Sequence, residues 1–508
     1  MTSVEGFRIM KSKLQKFFLF LILFTAGFIS EAQTPLQIIN ADELEGFQND
    51  SVQVKHLIGN VRFKQNEMFM SCDRADFFDS ENKVEASGHI HIIQADSINI
   101  YGDLLHYDGN TRTAVISKNV KLVQGHMSLT TPELTYNLNS RSGFYDNGGV
   151  LISDSNTLKS TKGYYFENTG DVFFKKNVTL TNPNYLLTAD TLRFNINERT
   201  AYFLGPTNIE SDSSNIFCEG GFYNTLTDDA MFTHKALFIS PPHFLSGDTL
   251  FYNRKTGIGM ALHHMNWTDT SRHMIMTGDY AKYDEQHKSI LATQHSMLIS
   301  LIGTDSLYLA ADTLKSFLQQ DSVRVILAYH HVRIFKNDLQ AICDSLSYSD
   351  ADSTFRFHKN PVLWVDGNQL TADTISLQMK NNHPFMMTMC KQSLIVNELK
   401  LGFYNQVKGK NMTGLFENDE LHLLTVDGNG ESIYYAGDDS SGYFGINKAI
   451  CSSMKILIVN RKIDHIDFIT EPDATLYPLH KAPKAELKLK DFVWWNDEKP
   501  KSKNDLFR

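Results

Sequence analysis

Ala189-Asp190-Thr191-Leu192-Arg193-Phe194, ADTLRF, is a phrase that returns along most of the chain at a nearly constant interval. With Asp190 as anchor, equivalent positions fall at Asp73, Asp103, Pro132, Lys162, Glu219, Asp248, Asp279, Asp312, Asp344 and Asp373, and neighbouring anchors are 28 to 33 residues apart. The clearest copies are GDLLHY (Gly102 to Tyr107), GDTLFY (Gly247 to Tyr252), CDSLSY (Cys343 to Tyr348) and ADTISL (Ala372 to Leu377), while those at Pro132, Lys162 and Glu219 keep the pattern loosely. A period of roughly 30 residues marks a tandem-repeat, solenoid-like architecture, in which dividing length by domain size does not count domains.

Alternation inside the phrase says strand. In GDLLHY, Leu105 and Tyr107 fall on one face and Leu104 and His106 on the other, because successive side chains of a strand point to opposite sides. Turn residues follow, as in Asp108-Gly109-Asn110-Thr111, Asn195-Ile196-Asn197-Glu198 and Asn253-Arg254-Lys255-Thr256-Gly257, so each unit contains a hairpin. A further strand then carries Gly or Asn before an apolar alternation, as in Gly59-Asn60-Val61, Gly88-His89-Ile90, Lys118-Asn119-Val120 and Lys176-Asn177-Val178. The expected fold class is all-β.

At the N-terminus, Lys11, Lys13 and Lys16 precede the apolar run Phe17 to Ile29 and then Ser30-Glu31-Ala32. This is the pattern of a secretory signal peptide over residues 1–32, cleaved after Ala32, and the run is shorter than the about 20 residues of a membrane-spanning helix. The reading is an exported, soluble chain. Its formal charge of -10 argues against nucleic acid as a partner, since phosphate binding relies on Lys and Arg.

The repeat body runs over residues 33–399. A second, hairpin-type unit over 400–480 is expected to cap it, because Met412 through Val426 can be laid on Met454 through Phe468. Residues 481–508, rich in Lys and holding Trp494 and Trp495, are expected to form a flexible tail.

Five cysteines show no metal-type spacing, and Cys72, Cys218 and Cys343 each stand one residue before an anchor, the mark of a small buried position. His263-His264 and His330-His331 invite a metal reading, but neighbours on a strand face opposite ways, so surface histidines are expected. Anchor aspartates followed by Thr or Ser, as at Asp190, Asp248, Asp312, Asp344 and Asp373, suggest local side-chain to backbone hydrogen bonds rather than a calcium column. No nucleophile elbow, phosphate-binding Gly loop or HExxH pattern is present. No catalytic residue, metal ligand or cofactor is therefore assigned, and the chain is read as a non-enzyme.

Taken together, the export pattern, the Gly/Asn-x-Val strand, the Asp-x-Leu-x-Tyr strand and its turn, best seen from Gly102 to Phe144, resemble the OstA-like family of LptA-type periplasmic lipopolysaccharide-transport proteins. The resemblance implies an elongated β-jellyroll, or β-taco, whose apolar trough shields acyl chains. It also implies lipopolysaccharide or a related envelope lipid as ligand, other envelope transport proteins as partners through sheet edges, and a place in the periplasm, with outer-membrane association left open. The trough-lining candidates are Leu105, Tyr107, Val120, Leu122, Leu192, Phe194, Leu250, Tyr252, Leu346 and Tyr348. The same stripe would serve as core in a structural or adhesive solenoid that carries no lipid. A glycan-processing β-helix, needing only two carboxylates, is the third reading.

Overall fold

The computed structural model describes residues 34–507 apart from 50–51, 95–97, 303–304, 321, 400–401, 439–441 and 461. The signal-peptide reading thus lies outside the described residues. Among these, every long element is a β-strand, paired antiparallel with its neighbours. The strand Ile98–Asp108, which holds GDLLHY, pairs with Lys83–Gln94 on one side and Thr113–Gln124 on the other. Its alternation is as read from the sequence: Leu105 is 4% exposed and Leu104 is 37%. The turns are made by the residues expected, with the Asp108 carboxylate accepting the backbone N–H groups of Asn110 (2.8 Å) and Thr111 (3.1 Å) and the Asn253 side chain accepting that of Thr256 (2.8 Å).

What makes a jellyroll of this ladder is a corner inside each long strand. Gly88 and His89 have φ of 80° and 43°, Lys118 and Asn119 of 61° and 53°, and His263 and His264 of 57° and 49°. The ladder skips there. Ser87 pairs with Leu104 and the next pair is Ile90 with Gly102, so two residues oppose the single Asp103. Such a bulge bends the strand and splits it between two walls, which we call the first wall (Gln65 and Leu122 among its residues) and the second (Leu105 and Tyr107).

The left-handed conformation costs about 1 kcal/mol or more at each non-glycine residue. A recurring partner offsets it: Asp73 takes His89 at 2.8 Å, Asp103 takes Asn119 at 2.6 Å, Asp248 takes His264 at 2.9 Å and Asp279 takes His295 at 3.0 Å, each 16 residues on. The expectation of a local side-chain to backbone bond is corrected at Asp248 and Asp312, whose partners are His264 and His331 (2.8 Å) of the next strand, whereas Asp190 and Asp344 accept the hydroxyl of the residue that follows them. The histidine pairs are exposed as expected, though the reason is the corner rather than strand alternation.

By internal packing the chain forms two compact units, Met1–Asp154 with Lys162–Asn168, and Ser155–Thr161 with Thr169–Arg508. In the second, the loose repeat copy at Glu219 marks a complete break at the corner, between the strands Asn215–Cys218 and Gly220–Asn224. The hairpins from Met412 and Met454 do correspond: Met412 pairs with Val426, and Met454 with Phe468. They continue the ladder, since His383–Glu398 pairs with Tyr404–Glu417 across the supposed boundary at residue 400.

The flexible tail is also corrected. Leu363 of the first wall faces inward, so Trp364 and Gln369 face out, yet both are buried. The C-terminal segment covers them. The Gln369 side chain donates to the Val493 carbonyl (2.7 Å) and accepts from the Trp495 N–H (2.7 Å), and Gln406 does the same with Leu487 (2.9 Å) and Leu489 (2.8 Å). Each amide thus copies a ladder step, while Leu489 is buried against Leu394, Val396, Ile433 and Tyr435. Further on, Arg333 pairs with Glu498 at 3.1 Å and the Lys503 ammonium sits over the Tyr308 ring.

Candidate functional site

Eight of the ten trough candidates are buried on the inward faces, and Tyr252 and Tyr348 are half-buried. In the first unit the interior around Leu105, Tyr107, Val120 and Leu122 is filled by side chains. Tyr107, from the second wall, reaches across to donate its hydroxyl to Gln65 of the first; the Gln65 amide in turn donates to the Thr34 (2.6 Å) and Gly109 (3.0 Å) carbonyls. Burial pushes the Tyr107 hydroxyl up to about 12, so it is held as a donor. Tyr165 bonds to Gln124 in the same manner. These rivets close the mouth between the walls.

Further along, in the second unit, charge takes over. Asp269 is fully buried and accepts the Ser271 (3.0 Å) and Arg272 (3.2 Å) backbone N–H groups, with His243 at 3.5 Å. Opposite it, buried Arg324 donates to Ser316 (3.4 Å) and to the Lys288 carbonyl (3.5 Å), and Arg272 reaches Asp350 across the mouth at 3.5 Å.

Beyond these groups the walls stand apart around a cavity of about 420 Å³. Leu307, Ile334, Leu339, Leu363 and Val365 line it from the first wall, and Phe355, Phe357, Leu377, Met379, Met387 and Phe416 from the second. The strands Asp305–Gln319, Val323–Phe335, Leu339–Ser349 and Val362–Val365 supply the one side, and Thr354–His358, Thr374–Lys380, His383–Glu398 and Tyr404–Glu417 the other. The mouth is wet. Its rim holds Asp305, Lys336, Asp338 and Asp366 on the first lip and Asn382, His383 and Asp419 on the second. The polar contacts stay within a lip: the Lys336 ammonium with Asp338 at 2.6 Å, and the His383 ring with Asp419 at 2.8 Å.

An apolar slot with a polar rim can hold the chain of an amphiphile while its head stays in water. Of the sequence candidates, Tyr348 stands beside the slot, its ring 4.5 Å from that of Phe355, and Leu346 pairs with Phe357. The structure does not bring the other eight to it. Sequence reasoning missed the slot residues themselves, although Leu377 ends the quoted phrase ADTISL. Methionines and phenylalanines near the strand ends, at Phe355, Met379, Met387 and Phe416, were the available signal.

Cys72, Cys218 and Cys343 are buried and unpaired with one another. Burial, aided at Cys72 by the Asp73 charge, pushes their thiols up to about 12, 11 and 12, which leaves them unreactive. Among the described residues, no group of three or more His, Cys, Asp or Glu is placed to hold a metal ion, and no helix is long and apolar enough to cross a membrane.

Residues 33–190 match a family model described as OstA-like protein. No curated protein matches the chain. Among solved structures, the crystal structure of LptH, the LptA homologous periplasmic component of the conserved lipopolysaccharide transport device from Pseudomonas aeruginosa, overlaps with 12% identity and a TM-score of 0.19, covering 21% of this chain and 75% of that one. The architecture rests on the strand register rather than on that overlap, and the slot lies outside the matched residues. Over residues 33–190, then, the chain is similar to OstA-like proteins, and the match does not extend to the rest of it.

Proposed function

We propose that the protein is a passive binder of acyl chains in the cell envelope, exported to the periplasm and serving lipopolysaccharide transport and outer-membrane assembly. The observation that carries this reading is the apolar slot of about 420 Å³ between the walls of the second unit. Each methylene removed from water there contributes about 0.8 kcal/mol, so the chain itself supplies the affinity and no residue need do chemistry. The proposal takes in Leu346 and Tyr348 beside the slot. Leu105, Tyr107, Val120, Leu122, Leu192, Phe194, Leu250 and Tyr252 serve chiefly as packed core, the default state of an apolar stripe.

Other envelope transport proteins are the proposed partners, through open strand edges. At the N-terminal edge, Gln37–Asn40 and Glu43–Asn49 pair with the same strand and expose Ile39, Leu44 and Phe47, a surface suited to strand addition. The filled interior of the first unit favours a scaffolding role for that part of the chain.

The test is uptake of a fluorescent fatty acid by delipidated protein. Saturable binding at one slot per chain, lost in Phe357→Asp, is the expected result. A folded protein that takes up no probe would leave the structural-solenoid reading.

A further inference from the structure

We propose that the outer face of the second wall carries a binding groove for a neutral glycan chain, separate from the acyl slot and independent of it. Where the corner breaks between Asn215–Cys218 and Gly220–Asn224, the surface is hollowed into an open groove of about 580 Å³.

Its floor is aromatic. Tyr202, Phe222 and Met231 stand directly opposite one another on neighbouring strands and face outward, since Ala201, Phe203 and Ala230 are buried on the inner side. Phe173 and Arg193 continue the row at one end and Phe251 at the other, and all six are half-buried. The Tyr202 ring lies 6.3 Å from that of Phe222 and carries the Arg193 guanidinium at 3.9 Å. The break that opens the groove depends on glycine: at Gly221, with φ of 135°, a Cβ would run into the Met231 carbonyl. Gly220 leaves the Thr233 hydroxyl uncovered, since a Cβ there would lie 2.9 Å from its oxygen.

The charges at the border are matched. Lys235 pairs with Glu219 at 2.7 Å and Arg193 with Asp171 at 3.6 Å, while the Tyr202 hydroxyl donates to Glu198 at 2.6 Å. An anion therefore finds its cations engaged. A peptide strand finds no free edge, because Thr200–Phe203 pairs with Tyr185–Asn195 and Gly220–Asn224, and the latter with Asp229–Ser240. An acyl chain would stay half in water, the groove having no second wall. A sugar ring suits both features: its C–H face stacks on the electron-rich face of an aromatic ring, and its hydroxyls exchange hydrogen bonds with Thr233, His234 and Glu219. The row from Phe173 to Phe251 crosses five ladder steps, about 24 Å, which is room for a chain of sugars. The groove opens at the corner and the slot at the strand ends, so the glycan is a ligand in its own right rather than the sugar of a slot-bound lipid.

Titration calorimetry of the full chain with chitohexaose, cellohexaose and, as an anionic counterpart, hexagalacturonate tests this. Saturable binding of a neutral hexamer is expected, unchanged in about 0.5 M salt. Tyr202→Ala and Phe222→Ala should each weaken it roughly tenfold, and Thr233→Ala, which removes a hydroxyl and leaves the rings in place, by about threefold. Circular dichroism and fatty-acid uptake of these variants should match those of the unsubstituted protein, which separates loss of glycan binding from loss of fold and from the acyl slot.

No saturable binding of either neutral hexamer by the folded protein overturns the proposal, as does binding that all three variants retain in full. Tighter, salt-sensitive binding of hexagalacturonate overturns it by making the groove an anion site. Self-association abolished by Phe222→Ala, with no glycan bound, overturns it by making the face an interface between copies. The acyl reading survives each of these results, since it depends on probe uptake alone.

Discussion

The mouth of the first unit and the slot of the second are built from the same repeat, yet one is sealed and the other open. In the first unit the strand ends carry Tyr107 and Tyr165, long enough to cross between the walls and bond to Gln65 and Gln124. At the slot the strand ends carry Asp305, Lys336, Asp338, His383 and Asp419, whose polar contacts lie along each lip. In both units the fold supplies two facing walls. Whether the space between them is core or binding site is decided by a few residues at the rim.

The largest effect should come from closing the open region. Leu363→Trp, which fills the slot from the first wall, is expected to abolish acyl-probe binding while changing the unfolding free energy by no more than about 1–3 kcal/mol, as read by fluorescence titration and urea unfolding. Opening the sealed region should be costly in stability instead. Tyr107→Ala removes a fully buried ring and strands Gln65, for an expected loss of about 3–5 kcal/mol, whereas Tyr107→Phe should lose only about 1–3 kcal/mol through the unsatisfied amide. If Tyr107→Ala gains acyl binding, the rim alone distinguishes the two regions; if it does not, wall packing also contributes.

A smaller change is expected behind the slot. Gln369→Ala and Gln406→Ala each remove an amide that both donates to and accepts from the C-terminal segment, at about 1–3 kcal/mol apiece. Hydrogen exchange of residues 487–495 should quicken in these variants while the exchange of the first unit stays unchanged.

The smallest effect is at the corners. The bond to Asp248 raises the His264 pKa from its ordinary value, as the bond to Asp73 raises that of His89. A raised folded-state pKa gives stability that is fully present below the unfolded value, near 6.5, and is lost as pH rises through the folded value. Both groups are exposed, so the expected signal is a slight fall in melting temperature between pH 6 and pH 8. His264→Asn, which places there the residue found at Asn119, should remove that corner's share of the pH dependence.

Much of the fold was legible in the chain because its determinants are local. The period of the anchor, the alternation of Leu105 and Tyr107 against Leu104 and His106, the turn chemistry of Asp108 and Asn253, and the buried place of Cys72, Cys218 and Cys343 all follow from residues close in sequence. The corner was hidden by its own geometry. Two left-handed residues leave the alternation in phase, with Ala86 and Ile90 both buried on either side of Gly88-His89, so a periodicity reading passes through it unaware. The slot was hidden for a different reason. It depends on which side chains meet across the mouth, and those lie far apart in sequence, as Gln65 and Tyr107 do. The C-terminal segment likewise docks through Gln369 and Gln406, whose outward position reads as solvent-facing until the strap is seen.

If acyl chains occupy the slot and not the sealed interior, in-cell photocrosslinking will separate the two. With the reactive residue placed at Phe357 or Met387, and at Leu105 and Phe194 for comparison, lipid adducts are expected at Phe357 and Met387 alone. Adducts at Leu105 or Phe194 with none at the slot, from folded and exported protein, would place the lipid in the repeat interior instead.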